Sequence, residues 1–135
     1  MQLGHGDAIH VNDFIPSRPG LEVWICHEHE PYGCTLSDAA TGQIIFRYTS
    51  DKDTGRCCAG NIIAGNNSAE FWGSRGEGVY DGQGRVIASA SNLAVNFVIQ
   101  WDGDFETELL DGNTITEYTE SGVKTLFTSD YYACN

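Results

Sequence analysis

Residues 70–87 read EFWGSRGEGVYDGQGRVI. In this stretch β-branched and aromatic residues flank Asp81-Gly82-Gln83-Gly84, a turn whose members tolerate positive φ, so it predicts an antiparallel hairpin. The same pattern occurs earlier in the chain. Glu22-Val23-Trp24 matches Glu70-Phe71-Trp72 at a displacement of 48 residues. Leu36-Ser37-Asp38-Ala39-Ala40-Thr41-Gly42-Gln43-Ile44-Ile45 then matches 78–87, with an Asp opening each turn and an aliphatic pair closing it. A third, looser copy starts at Trp101 and runs through Leu109-Leu110-Asp111-Gly112-Asn113-Thr114-Ile115. Units of about 40–50 residues holding about four strands are the signature of propeller blades.

The remaining apolar runs agree with this reading: GLEVWIC (20–26), QIIFRYT (43–49), NIIAG (61–65), NFVIQW (96–101), TITEYT (114–119) and VKTLFTS (123–129). They are short, rich in β-branched and aromatic residues, and bounded by turn residues, while helical periodicity is almost absent. The expected fold is all-β, a partial β-propeller of two to three blades. A propeller ring needs at least about four blades, so residues 1–135 are expected to form an arc, incomplete at both ends. A self-contained β-sandwich is the alternative, since its hairpins have the same spacing.

With 135 residues the chain has the length of one domain. Nineteen acidic against seven basic residues give a net charge of −12, which argues against a nucleic-acid groove or an anionic membrane as partner. Hydrophobic residues at 41% and aromatics at 11% exclude a disordered acidic tail. No apolar run is long enough to span a bilayer, and the first ten residues lack the basic start and apolar stretch of a secretory signal. The five cysteines, Cys26, Cys34, Cys57, Cys58 and Cys134, fit neither a redox C-x-x-C nor a zinc ribbon. They are expected to be buried thiols, although Cys26 and Cys34 flank a turn at a spacing that leaves a bridge open.

Chemistry concentrates in the first thirty residues, which hold all four histidines: His5, His10, His27 and His29, with Asp7, Asp13, Glu28 and Glu30 among them. In an extended strand His5 and Asp7 project to one face, and Glu28 would join them from a neighbouring strand end. Imidazole with carboxylates suits Zn²⁺, while a single His among oxygens suits Ca²⁺ or Mn²⁺, so spacing leaves the metal open. The H-E-H-E around His27 and His29 is not the helical zinc-protease motif and sits in strand-like surroundings. Two acidic turns also present hard oxygens: Asn12-Asp13 with Glu22, and Asp102-Gly103-Asp104 with Glu108. Plain turns are the alternative for both. An offset of 51 residues sets Gly4-His5-Gly6 against Gly55-Arg56-Cys57, so His5 and Arg56 would take equivalent places in successive units and flank one bound acid. A surface ion pair with Asp51 or Asp53 is the plainer use of Arg56.

Three segments, GHGDAIHVNDFIPSRPGLEVWICHE (4–28), YGCTLSDAATGQIIFRYTSDKDTGR (32–56) and NFVIQWDGDFETELLDG (96–112), resemble the rhamnogalacturonan lyases of polysaccharide lyase family 11. The resemblance runs through nearly the whole chain yet covers about a quarter of a typical member. It implies an eight-bladed, calcium-dependent β-propeller enzyme that cleaves the rhamnose–galacturonate bonds of rhamnogalacturonan I by β-elimination. By position it implies His5, Asp7 and Glu28 as ligands of an active-cleft Ca²⁺, and Arg56 as a catalytic and substrate-binding residue. Asn135 is implied in substrate binding, just ahead of a Gly-Thr-Lys whose lysine is the other catalytic candidate. Asn12, Asp13, Glu22, Asp102, Asp104 and Glu108 remain the candidates for structural calcium. An arginine is a poor base, because a delocalised guanidinium gives up its proton reluctantly, so Arg56 is expected to stabilise charge. The expectation is an endolyase fragment without activity on its own, from a monomeric, extracellular enzyme of pectic polysaccharide. A non-catalytic, calcium-stabilised polysaccharide-binding propeller is the alternative.

Overall fold

Twelve short strands run through the described residues, and the tight turns between them use Asp, Gly and Thr, as at 38–42, 81–84 and 111–112. The computed structural model describes residues 4–132, and among these no helix forms. The first sheet consists of β1 (Ile9–Asn12), β2 (Glu22–His27), β3 (Gly33–Asp38) and β4 (Ile44–Tyr48). The second holds β5 (Cys57–Gly60), β6 (Glu70–Gly73), β7 (Val79–Tyr80) and β8 (Val86–Ala88). The third holds β9 (Phe97–Ile99), β10 (Glu108–Asp111), β11 (Thr114–Thr119) and β12 (Gly122–Thr128). Each is an antiparallel meander whose strands lie in sequence order. The all-β expectation is met, with three units.

Period-two alternation divides the second sheet between two cores. Cys57, Ala59, Phe71 and Tyr80 pack with Trp24, Cys26, Cys34 and Leu36 of the first sheet. Cys58, Trp72 and Val79 pack with Leu93 and with Leu109 of the third. A middle sheet whose first three strands are covered by sheets on both sides is not the two-sheet sandwich held as the alternative. The first strands sit closest across the boundaries, β1 and β2 against β5, and β5 against β9. Trp24 Nε1 donates to the Trp72 carbonyl at 3.3 Å, linking the two repeat tryptophans directly.

The turns repeat as closely as the strands. Asp38 Oδ1 accepts from the Ala40 and Thr41 amides, and Asp81 Oδ1 from those of Gln83 and Arg85. At Asp38 the Thr41 hydroxyl and amide bonds hold the carboxyl below its ordinary range. Burial works to raise Asp81, but the Arg85 amide and guanidinium outweigh it and the carboxyl is lowered.

A less visible repeat lies in the loop between the first and second strands of each sheet. Glu22 Oε2 accepts from the Phe14 and Ile15 amides at 3.0 and 3.1 Å. Glu70 Oε2 accepts from Ile62 and Ile63 at 2.7 and 3.0 Å, and Glu108 Oε2 from Trp101 at 2.7 Å. All three carboxylates are buried, and they satisfy loop amides of which those of Phe14, Ile15 and Ile62 are themselves in buried bonds. Burial raises the carboxyls of Glu70 and Glu108 above the ordinary range.

These clamps correct two readings. The run at 61–65 is a loop held by Glu70, not a strand. Trp101, seven residues before Glu108, corresponds to Ile15 and Ile63 in the loop, so the third copy of Glu22-Val23-Trp24 is Glu108-Leu109-Leu110, with Leu110 in place of the tryptophan. Cys26, Cys34, Cys57 and Cys58 are free and buried, as expected of packing thiols. Cys26 and Cys34 face each other in the β2–β3 register without bridging. Cys134 lies outside the described residues.

Candidate functional site

The segment before β1 continues alongside the end of β2: Cys26 N–H donates to the Ala8 carbonyl at 3.4 Å and Glu28 N–H to the His5 carbonyl at 2.8 Å. This pairing brings His5 and Asp7 beside Glu28 across 23 and 21 residues of chain. Gly6 makes the approach possible, since a Cβ there would lie 1.9 Å from the Cys26 carbonyl oxygen. His5 Nδ1 stands 2.5 Å from Glu28 Oε2. That hydrogen bond to Glu28 raises the pKa of the exposed imidazole. One donor atom from each of His5, Asp7 and Glu28 lies within 4.8 Å of the other two. The three residues named from the sequence therefore converge, with one imidazole nitrogen and carboxylate oxygens as the donor set. A hard cation such as Ca²⁺ that accepts an occasional nitrogen suits this set.

Arg56 reaches the same group from the second sheet. It stands at the entrance to β5, where its amide donates to the Thr54 carbonyl and its carbonyl accepts from Ser74. Its Nη1 donates to the Asp7 carbonyl at 3.3 Å and lies 3.9 Å from Asp7 Oδ2. Asp53 is not its partner, since Asp53 Oδ1 accepts from the Gly55 amide that sets the turn before Arg56. The route by which Arg56 comes to the cluster, through Asp7, differs from the sequence expectation. The ladders of the first two sheets match at 48 residues, with Asn12 opposite Glu22 and Gly60 opposite Glu70. That offset sets Ala8, not His5, at the place of Arg56. Asp7, one residue from Ala8, supplies the junction.

The other histidines separate. His10 Nε2 donates to the Cys57 carbonyl at 2.8 Å and ties β1 to β5. His27 is buried, with Nε2 2.7 Å from Thr35 Oγ1. His29 is exposed, and its Nδ1 accepts from the His5 amide at 3.4 Å. His27 and His29 thus lie in different surroundings, and neither joins the cluster of His5, Asp7 and Glu28. Of the two acidic turns, Asp102, Asp104 and Glu108 bring donor oxygens within 4.8 Å of one another. In the other, Asn12 pairs with Glu22 in the ladder, while Glu22 turns both oxygens inward, to the Phe14 and Ile15 amides and, at 3.6 Å, to Arg18 Nε. Asn135 lies outside the described residues. Sequence reasoning missed Asp7 as the residue that holds Arg56, and the only available signal was its place between Gly6 and Ala8.

Residues 1–135 match the profile of rhamnogalacturonan lyase family 11, C-terminal domain. The chain belongs to this family. It is 40% identical over 137 residues to rhamnogalacturonan endolyase YesW of Bacillus subtilis, covering 98% of this chain and 22% of that protein. It is 41% identical over 118 residues to rhamnogalacturonan exolyase YesX of the same organism, covering 81% of this chain and 19% of that one. Among solved structures, the YesW crystal structure superposes with a TM-score of 0.88 at 39% identity over 95% of this chain and 22% of that one. A Bacillus licheniformis family member, rhamnogalacturonan lyase PL11, gives 0.87 at 39% over the same shares. The chain thus spans about a fifth of the length of the relatives it matches.

Proposed function

We propose that this domain contributes one wall of the active cleft of a calcium-dependent rhamnogalacturonan lyase, and that its three sheets are successive blades of a propeller. The observation that carries the reading is the meeting of His5, Asp7, Glu28 and Arg56 at one place, from two sheets, in a family member. The blade reading is supported by the repeated meanders, by the adjacency of β1, β5 and β9, and by the apolar side chains left bare on the first and third sheets.

His5, Asp7 and Glu28 would hold Ca²⁺, which when bound supplies positive charge beside the carboxylate of a galacturonate. A second calcium would sit on Asp102, Asp104 and Glu108, as a brace for the loop between β9 and β10. β-Elimination removes the C5 proton of galacturonate and expels the rhamnosyl oxygen from C4, so negative charge grows next to the existing carboxylate. Arg56, half-exposed, donates to that carboxylate and stabilises the charge as it forms. Asp7 orients Arg56 through its carbonyl, a contact that survives a change in the Asp7 side chain. Arg56 does not take the proton, and proton abstraction falls to a group outside the described residues. A chain of net charge −12 would need such cations to approach an acidic polymer at all. The substrate, a polymer too large to enter a cell, points to an enzyme that works outside it.

The test is the lyase assay on the complete enzyme containing this domain. Rhamnogalacturonan I should yield an ultraviolet-absorbing unsaturated uronate, and Arg56→Ala should abolish it. Binding of the polymer without any such product would favour the non-catalytic polysaccharide-binding reading.

A further inference from the structure

Three cysteines meet where the first two sheets touch. Cys26 near the end of β2, Cys34 near the start of β3 and Cys57 at the start of β5 are fully buried in one core. Cys57 hydrogen-bonds to the thiols of both Cys26 and Cys34. Cys26 and Cys57 also converge on a single backbone atom, the Ala8 carbonyl oxygen, which lies 3.7 and 3.8 Å from their sulfurs. Both are free thiols, and they belong to different sheets.

The members of this group differ in chemistry. The hydrogen bond from Cys57 brings the Cys26 thiol down to about 6 against the effect of burial, while its bonds to Cys26 and Cys34 push Cys57 up. A thiolate next to a thiol that can resolve it is the arrangement of a reactive dithiol. Cys34 is a poorer partner. Its Sγ is 3.1 Å from the Tyr48 hydroxyl, and Gly73 stands so close that a Cβ there would lie 3.0 Å from the sulfur. Cys58 turns into the other core by period-two alternation, where burial pushes it up to about 12. The cover over Cys26 is thin: residues 5–8 belong to no strand and are held to the end of β2 by the backbone bonds that Cys26 and Glu28 donate. Local opening of that segment admits a small oxidant without parting the sheets.

We propose that Cys26 and Cys57 are a dithiol site that reacts with peroxide and closes to a disulfide, joining the first sheet to the second beside Arg56. The pair requires neither calcium nor polysaccharide. The Cys26 thiolate attacks one peroxide oxygen, the O–O bond breaks, and a sulfenic acid and hydroxide form. Cys57 gives its proton to that hydroxide and attacks the Cys26 sulfur, so that the S–S bond forms, the S–O bond breaks and the oxygen leaves as hydroxide, which takes up the proton Cys26 had lost. Two thiols and one peroxide become one disulfide and two waters. Cys57 follows Arg56 directly, and Cys26 Sγ lies 3.6 Å from the Gly55 carbonyl oxygen on its other side, so the state of the pair bears on the backbone at both sides of the arginine.

The experiment treats the complete enzyme containing this domain, reduced and then freed of reductant, with hydrogen peroxide, and assigns thiols and linkages by alkylation and peptide mapping in a mass spectrometer. The wild type should yield a Cys26–Cys57 linked peptide lighter by two hydrogens, restored to two thiols by a dithiol reductant, with Cys58 still open to alkylation after denaturation. Cys26→Ser should abolish that linkage, and Cys34→Ser should leave it in place. The wild-type map decides the matter even where a variant fails to fold. Cys26 and Cys57 both remaining thiols under peroxide that converts free cysteine, Cys26 carried to sulfinic acid with no linkage, or Cys57 bridged to Cys34 in place of Cys26 would each overturn the site and leave the proposed function standing.

Discussion

Arg56 and Asp7 show how one side chain acquires a role from its neighbours. Arg56 stands half in solvent, where an isolated ion pair contributes little to stability, so its position has its main consequence in what it presents to a ligand. A planar guanidinium holds a carboxylate at two points, and an ammonium holds it at one. Arg56→Lys should therefore lower kcat/KM of the complete enzyme by at least about tenfold while leaving the thermal midpoint unchanged, measured by steady-state kinetics and calorimetry. Equal activity would remove the two-point contact. At this scale the sequence was legible in part. His5, Asp7 and Glu28 could be named because strand periodicity and a Gly between two ligands are local features. The contact of Arg56 with Asp7 could not, because an offset of 51 residues looks as good on paper as 48, and only the strand ladder distinguishes them.

Strands and turns repeat because each unit solves the same problem, a loop whose amides turn toward the sheet and need an acceptor there. Glu22, Glu70 and Glu108 are that solution. Glu70→Ala would leave the Ile62 and Ile63 amides buried and unpaired, and should cost about 3 kcal/mol in denaturant unfolding. A cost under about 1 kcal/mol would mean that the loop finds other acceptors. The turn aspartates carry a pH signature. The folded carboxyl of Asp38 is lowered by its bonds from Thr41, so its contribution is present above the ordinary value of 3.8 and is lost as pH falls through the lower folded value. The stability difference between wild type and Asp38→Ala should therefore be full above about pH 5 and shrink steadily below it, followed by urea unfolding at each pH. The hairpin turns could be read because an Asp followed within a few residues by a Gly is local chemistry. The strands Cys57–Gly60 and Gly33–Asp38 could not, since Gly, Cys and Ser have weak strand preference and form these strands only by being covered. The third repeat was obscured because its tryptophan is replaced by Leu110, while the residue that persists, Glu108, read in the sequence as a calcium ligand and not as a loop clamp.

At the level of the whole molecule the sheets form a stack with two unequal outer faces. Ile9 and Val11 on the first sheet are exposed at 62% and 53%, and Trp101 stacks on Phe127 at the edge of the third with both rings about half in solvent. Residues of this kind normally lie against a neighbour. The isolated chain should bind a hydrophobic dye or self-associate in light scattering, and Val11→Lys with Phe127→Lys should reduce both. A monodisperse chain without dye binding would argue against further blades on these faces. An all-β chain of repeated units was legible from spacing alone. Which faces stay bare was not, because it depends on the order in which sheets stack.

The most direct measurement of the central claim is calorimetric titration of calcium into the wild-type chain, into Glu28→Ala and into Asp104→Ala. Glu28→Ala should remove one class of sites and leave the other, and Asp104→Ala should do the reverse. If Glu28→Ala binds calcium with the stoichiometry and affinity of the wild type, no ion is held by His5, Asp7 and Glu28, and the cleft built on them is contradicted.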